Sequence, residues 1–306
     1  MNQQLQSLPI YKSNALVEAS YRLTPAEQRI VLAAIARVRR DEPITDEVLY
    51  SVNVADYSDL VGTESHSVYK ELADAALRLK RREVWIKQEP NGKGKRPRTL
   101  ITGWVQSIVY IESEGRVELR FTKDMLPYLT QLSTNFTRYA LADVAKMTSA
   151  HAIRLYELLC QWREAGEREV SIDWLREAFQ LDGKYPAIKD FKKRVIEPAV
   201  EQINECSPLF VKWDQRKTGR RVTHLVFMFG EKPKSKSKKK SQKKTAPATQ
   251  PTEKKNPGFT DEEIAKAARP GETWEQARQR LEEERRRRIE AARSSARSVV
   301  GLARHE

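Results

Sequence analysis

The apolar positions of this chain change period from one segment to the next, and the changes predict its elements. TPAEQRIVLAAIARVRR (24–40) opens with Thr24 as an N-cap, Pro25 at the first helical position and Glu27 three residues on, then sets Ile30, Ala34, Ile35 and Val38 on one face. A capping box ahead of a 3.6-residue period predicts an amphipathic helix. LYSVNV (48–53) alternates as a strand, ADYSDLVG reads as a short helix closed by Gly62, and 65–81 places Val68, Leu72, Ala75, Ala76 and Leu79 at helical spacing. EVWIKQ (83–88) alternates again, NGKGKRPR (91–98) is a Gly- and Pro-punctuated basic loop, and TLITGWVQSIVYI (99–111) and VELRF (117–121) are β-rich.

The same order returns about 115 to 125 residues later. SAHAIRLYELLCQWR (149–163) is helical, REVSI (168–172) strand-like, DWLREAFQL (173–181) a short helix, and YPAIKDFKKRVIEPAVEQIN (185–204) a long one; LFVKWD, QRKTGRR and VTHLVFMF (209–229) close the set as a hairpin. Helix, strand, helix, helix, strand, wing, strand is the winged-helix arrangement, in which the third helix enters the major groove and the hairpin lies against phosphates. The expectation is an α+β chain of two tandem winged-helix domains related by internal duplication, residues 1–136 and 137–230. A disordered Lys-rich linker (231–258) and a helical tail (259–306) are expected to follow.

Charge sharpens this. The chain carries a net +14, of which 231–258 holds +8, ten lysines against Glu231 and Glu253. Within 1–230 two basic segments stand out, 78–98 at +7 and 184–224 at +5, on a remainder of −7. A solvated surface normally intersperses both signs, so two compact basic segments read as footprints on a polyanion.

On a wheel of the long second-half helix, Ile188, Phe191, Val195, Ala199 and Ile203 share one side, leaving the N-terminal turns with a basic outer side. Lys189, Lys193 and Arg194 are therefore the candidate base contacts, Arg194 foremost because its planar fork bonds bidentately to guanine. The bland alternative for each is a solvated amphipathic helix. Pro198 lacks a backbone donor and is expected to kink or end the helix. Candidate phosphate contacts are Lys184, Tyr185 and Lys192 near this helix and Arg216, Lys217, Arg220 and Arg221 around Gly219 in the second hairpin. In the first half they are Lys70, Arg78, Arg81 and Arg82 on or after the corresponding helix, and Lys93, Lys95, Arg96 and Arg98 in the first hairpin. Glu64 and Glu71 make the first-half helix the poorer base reader.

The segments 11–38, 136–166 and 185–204 resemble the Rep_3 family of plasmid replication initiators, most distinctively in Lys12-Ser13-Asn14 and in the Ala152-Ile153-Arg154-Leu155-Tyr156-Glu157 run. The similarity spans roughly 8–230. It implies a monomer that binds directly repeated origin sites, iterons, and a dimer, formed through the first domain, that represses its own promoter at an operator inverted repeat. It also implies host partners: DnaA, the replicative helicase and chaperones. By position Arg194 matches a basic residue of the family's second-domain recognition helix, whereas Ala187 stands where a relative has a DNA-contacting arginine, so the iteron sequence does not transfer.

Other chemistry finds little support. His66, His151, His224 and His305 are scattered, without metal-ligand spacing, and the 91–98 loop lacks the spacing of a phosphate-cradling nucleotide site. Cys160 and Cys206 have no Cys or His neighbour at ligand spacing and fit a reducing compartment. The longest apolar run, Ile30–Ala36, is far short of the roughly 20 residues of a membrane span, and no secretory n-region precedes an apolar stretch. No catalytic residue, cofactor or metal is expected, and the location is expected to be the bacterial cytoplasm. The expected function is a sequence-specific initiator acting on double-stranded origin DNA through binding energy; the alternative is a dedicated winged-helix repressor.

Overall fold

Capping chemistry starts the principal helices where the sequence places them. In the computed structural model, which describes residues 5–39, 43–62, 66–92, 98–233 and, beyond them, 276, 279–281, 283, 284 and 287, Thr24 and Glu27 form the reciprocal capping box and α2 runs Pro25–Ile35. Asn53 and Asp56 form a second box at α3 (Val54–Val61), which Gly62 ends in the left-handed conformation at φ +75°. Ser149 and Ser171 cap α6 (Ala150–Cys160) and α7 (Ile172–Ala178), each hydroxyl accepting from the backbone N–H three residues on.

The remaining elements are β1 (Pro9–Ser13), α1 (Asn14–Val17), β2 (Ser20–Tyr21), β3 (Tyr50–Asn53), α4 (His66–Leu79), β4 (Glu83–Ile86), β5 (Leu100–Gly103), β6 (Val105–Ile111), β7 (Arg116–Phe121), β8 (Phe136–Ala140) and α5 (Ala142–Ala145) in the first half. The second half adds β9 (Glu167–Ser171), α8 (Ile188–Phe191), α9 (Glu197–Cys206), β10 (Leu209–Thr218) and β11 (Arg221–Glu231). Helix, strand, helix, helix, hairpin occurs twice, and the chain holds two winged-helix domains.

The two copies are wired differently. In the second, β9 pairs with β11 and β11 with β10, a three-stranded winged sheet. In the first, β3 leaves the wing and joins β7 and β6, while the wing strands β4 and β5 take β2 as their third partner. The apolar run 99–111 therefore serves two sheets, divided at Gly103 and the buried Trp104. Strand β1 runs antiparallel to β8, with Ile10 opposite Tyr139, so the expected division between 136 and 137 falls inside β8.

Helix α2 departs from its expected amphipathic form, for Ala26 through Ile35 are all buried. Its polar residues find partners inside: Arg29 donates to the carbonyls of Ala145 and Met147 at 3.2 and 3.0 Å, and Gln28 to that of Ala150 at 3.3 Å. Buried polar groups persist only when hydrogen bonded, and here the partners come from residues 116 to 122 positions farther along the chain.

The residues that carry the family resemblance meet in the core. The fully buried Glu157 carboxylate accepts from Lys12 Nζ at 2.6 Å, Tyr139 Oη at 2.5 Å, Arg154 Nη1 at 3.3 Å and Tyr21 Oη at 3.3 Å. Arg154 also donates to the Val17 and Ala19 carbonyls and lies over the Tyr21 ring at 3.7 Å. Burial would raise the Glu157 carboxyl, but Lys12 and Arg154 outweigh it and hold the group below its ordinary range. Helix α6, which supplies Arg154 and Glu157, also packs on α9.

The linker 231–258 lies outside the described residues from 234 onward. The described tail residues between 276 and 287 are helical, with Arg280 and Glu284 paired at 3.4 Å one turn apart.

Candidate nucleic-acid interface

Helices α8 and α9 form one helix joined by a π-turn, Lys192–Ile196. Pro198 thus neither ends nor breaks it: the Glu197 N–H bonds the Lys192 carbonyl five residues back, and Pro198 occupies the first turn of α9, where a missing donor costs least. Phe191, Val195, Ile196, Ala199 and Ile203 are buried, while Lys189, Lys193 and Arg194 are exposed on the outer side. These three make no ion pair among the described residues. Lys192 is half-buried and donates to Gln215 Oε1 of β10 at 2.9 Å, which ties the helix to the wing and commits that ammonium to a protein partner.

The turn leading into the helix is held by a residue the sequence reading passed over. Arg176, on α7, donates to the carbonyls of Lys184 at 2.9 Å and Tyr185 at 2.6 Å, and its guanidinium lies over the Phe191 ring at 4.7 Å. Tyr185 sits at φ +52°, a conformation costly for a residue with a Cβ, and this fork holds it there. Nothing in a helical Arg within DWLREAFQL distinguishes it from a solvated side chain. Lys184 itself is exposed beside the turn.

The second wing turns at Gly219 and Arg220, a two-residue loop whose first position has φ +61° and so favours glycine. Lys217, Arg220 and Arg221 are exposed at this tip and make no ion pair among the described residues, whereas Arg216 is paired with Glu169 of β9 at 2.7 Å. Between the tip and the helix entrance lies a cleft of about 800 Å³ lined by Asp173, Arg176, Ile188, Thr218, Arg220 and Arg221.

In the first domain the candidates divide. Lys70 and Arg81 are exposed, but Arg78 and Arg82 turn toward the buried Glu27: Arg78 Nε donates at 3.2 Å, and Arg82 donates through Nε and Nη2 at 3.0 Å each. One carboxylate caps α2 and locks the end of α4 against it, so these two arginines are engaged in holding the fold. Arg98 pairs with Glu89; Lys93, Lys95 and Arg96 lie outside the described residues.

Among the described residues no cluster of His, Cys, Asp or Glu is arranged to hold a metal, and no helix is long and apolar enough to cross a membrane. His151 stacks on Phe179, and burial together with the nearby Arg22 and Lys184 lowers its pKa to about 4.

The family profile described as Initiator Replication protein, WH1, matches residues 9–160, and that described as Initiator Rep protein, WH2, matches 171–229. The chain belongs to the Rep_3 family of replication initiators. The WH1 match carries α6 with it, in keeping with the burial of Arg154 and Glu157 against β1 and β2. A replication initiation protein of Escherichia coli is 27% identical over 232 residues, covering 73% of this chain and 70% of that protein. An uncharacterized 27.6 kDa protein of Escherichia coli is 26% identical over 227 residues, 70% and 92% of the respective chains. The crystal structure of Pi initiator protein in complex with iteron DNA superposes with a TM-score of 0.63 at 21% identity, over 74% of this chain and 98% of that one, which establishes the shared fold.

Proposed function

We propose that this Rep_3 protein binds the directly repeated iterons of a plasmid origin as a monomer and promotes opening of the adjacent duplex. The observation that carries this reading is the exposed basic side of α8 and the π-turn, set one cleft away from the basic wing tip at Lys217, Arg220 and Arg221. Lys189, Lys193 and Arg194 read base edges in the major groove. Lys184, Tyr185, Lys217, Arg220 and Arg221 hold phosphates, with Lys70, Arg81 and the first wing loop adding contacts from the first domain. The Pi initiator protein, solved in complex with iteron DNA, supports this reading through the common fold.

Origin opening draws on binding energy; the protein acts in the cytoplasm, without enzymatic chemistry, cofactor or metal. The second domain is the main reader. The first mediates dimerisation, and the dimer represses the protein's own promoter at an inverted repeat. DnaA, the replicative helicase and chaperones are its host partners. Footprinting on the parent replicon is expected to show protected direct repeats, and deletion of the gene is expected to abolish replication. A single protected operator, with replication surviving the deletion, would instead identify a dedicated repressor.

A further inference from the structure

We infer that Pro198 is a positioning residue for DNA reading: by confining the π-turn to Lys192–Ile196, it fixes the rotational phase at which Lys189, Lys193 and Arg194 face out. The inference rests on the reading of this helix as the base reader. It begins with a mismatch in the apolar pattern. At about 100° per residue, Ile188, Phe191 and Val195 are centred about 100° away from a second group, Ile196, Ala199, Val200 and Ile203, of which Ala199 and Ile203 adjoin the first group while Ile196 and Val200 lie farthest from it. An unbroken α-helix that buried the second group would aim its core side midway between Lys189 and Lys192, and would turn Phe191 about 130° away from the core.

The structure does otherwise. Phe191 is 0% exposed, Lys189 is exposed, and both apolar groups pack inward. The slip from a four-residue to a five-residue hydrogen bond, seen in Glu197 N–H to Lys192 C=O, inserts one residue into the ladder and supplies about 100° of rotation. Pro198 decides where that slip sits. It has no N–H to offer the Arg194 carbonyl, and in a regular ladder its ring would strike that same carbonyl, so the α-register is barred at the step that follows the basic residues. Without the ring, the extra residue is free to migrate along the helix, and each step of migration turns the basic side chains relative to the wing.

The test uses the full chain and two duplexes, one carrying a footprinted origin repeat and one with the same bases scrambled. Pro198→Ala and Pro198→Gly are compared with wild type and with Arg194→Ala, reading both affinities, thermal midpoint and amide exchange over 192–200. Both Pro198 variants are expected to lower the ratio of specific to scrambled affinity about tenfold, with scrambled affinity within about twofold of wild type and faster exchange in 192–200. Ala favours a helix and Gly disfavours it, so a purely structural role would instead make the loss follow stability. A ratio within twofold of wild type in Pro198→Ala, or a loss confined to Pro198→Gly, overturns the inference. If Arg194→Ala lowers the ratio and Pro198→Ala does not, the inference alone fails. If neither wild type nor Arg194→Ala discriminates between the duplexes, the reading of the helix fails and the inference falls with it.

Discussion

Glu157→Gln removes the one negative charge from a core site that also holds Lys12 and Arg154, all three side chains being 3% exposed or less. In the native protein the site carries a net single positive charge, and Arg154 is further satisfied by the Val17 and Ala19 carbonyls. Loss of the carboxylate leaves Lys12 without its 2.6 Å partner in a setting where burial already holds the lysine below its ordinary range and Glu157 is the main group raising it. Breaking a buried pair from one side costs about 3–5 kcal/mol. For a folded unit of this size that corresponds to a fall of roughly 6–20 °C in the thermal midpoint.

Lys12→Met alone is expected to be costly too, since it strands the carboxylate's strongest partner position. The double variant Lys12→Met/Glu157→Gln restores the net charge of the site and is expected to recover much of the loss, with a coupling of about 2 kcal/mol. Urea titration followed by circular dichroism measures all three variants, with an unchanged m-value showing that the same transition is compared. A Glu157→Gln penalty below about 1 kcal/mol, or a double variant whose loss equals the sum of the singles, would refute the reasoning.

Two other residues give sharp expectations. His151 titrates at about 4 in the folded chain against an ordinary value near 6.5, so unfolded chains take up its proton first and stability falls as pH drops from about 6.5 to about 4. The effect is on the order of 3 kcal/mol; His151→Gln should flatten the stability profile over that window, and superimposable profiles would contradict it. Arg82→Ala, which removes two hydrogen bonds from the buried Glu27, should cost about 2 kcal/mol of stability and leave affinity for random duplex unchanged. A salt slope lowered by about one with stability intact would make Arg82 a phosphate clamp instead.

Much of the fold is legible in the sequence because its signals are local. The capping box at Thr24 and Glu27, the Gly62 helix stop and the Gly219 turn each act within a few residues, and each appears where the pattern places it. What escapes is non-local. No periodicity shows that 99–111 divides between two sheets, or that β3 leaves the first wing, since strand pairing is chosen by tertiary packing. Glu27, Gln28 and Arg29 read as the polar side of a surface helix because their partners are contributed from residues 55 to 122 positions away. The same cause separates Arg78 and Arg82 from Arg81: composition sees three arginines in a basic segment, and only the packing of α4 against α2 shows which two face the buried carboxylate. Pro198 is the reverse case, a local rule for ending helices that the π-turn at Lys192–Ile196 accommodates.

The division of labour between helix and wing is tested most directly by titrating Arg194→Ala and Arg220→Ala on origin-repeat and scrambled duplexes across a range of salt concentrations. Arg194→Ala is expected to cost about 1–3 kcal/mol on the repeat, to relax discrimination at one base position and to leave scrambled binding nearly unchanged. Arg220→Ala is expected to weaken both duplexes alike and to lower the salt slope by roughly one. The opposite assignment, with discrimination lost at the wing and a uniform loss at the helix, would contradict the account.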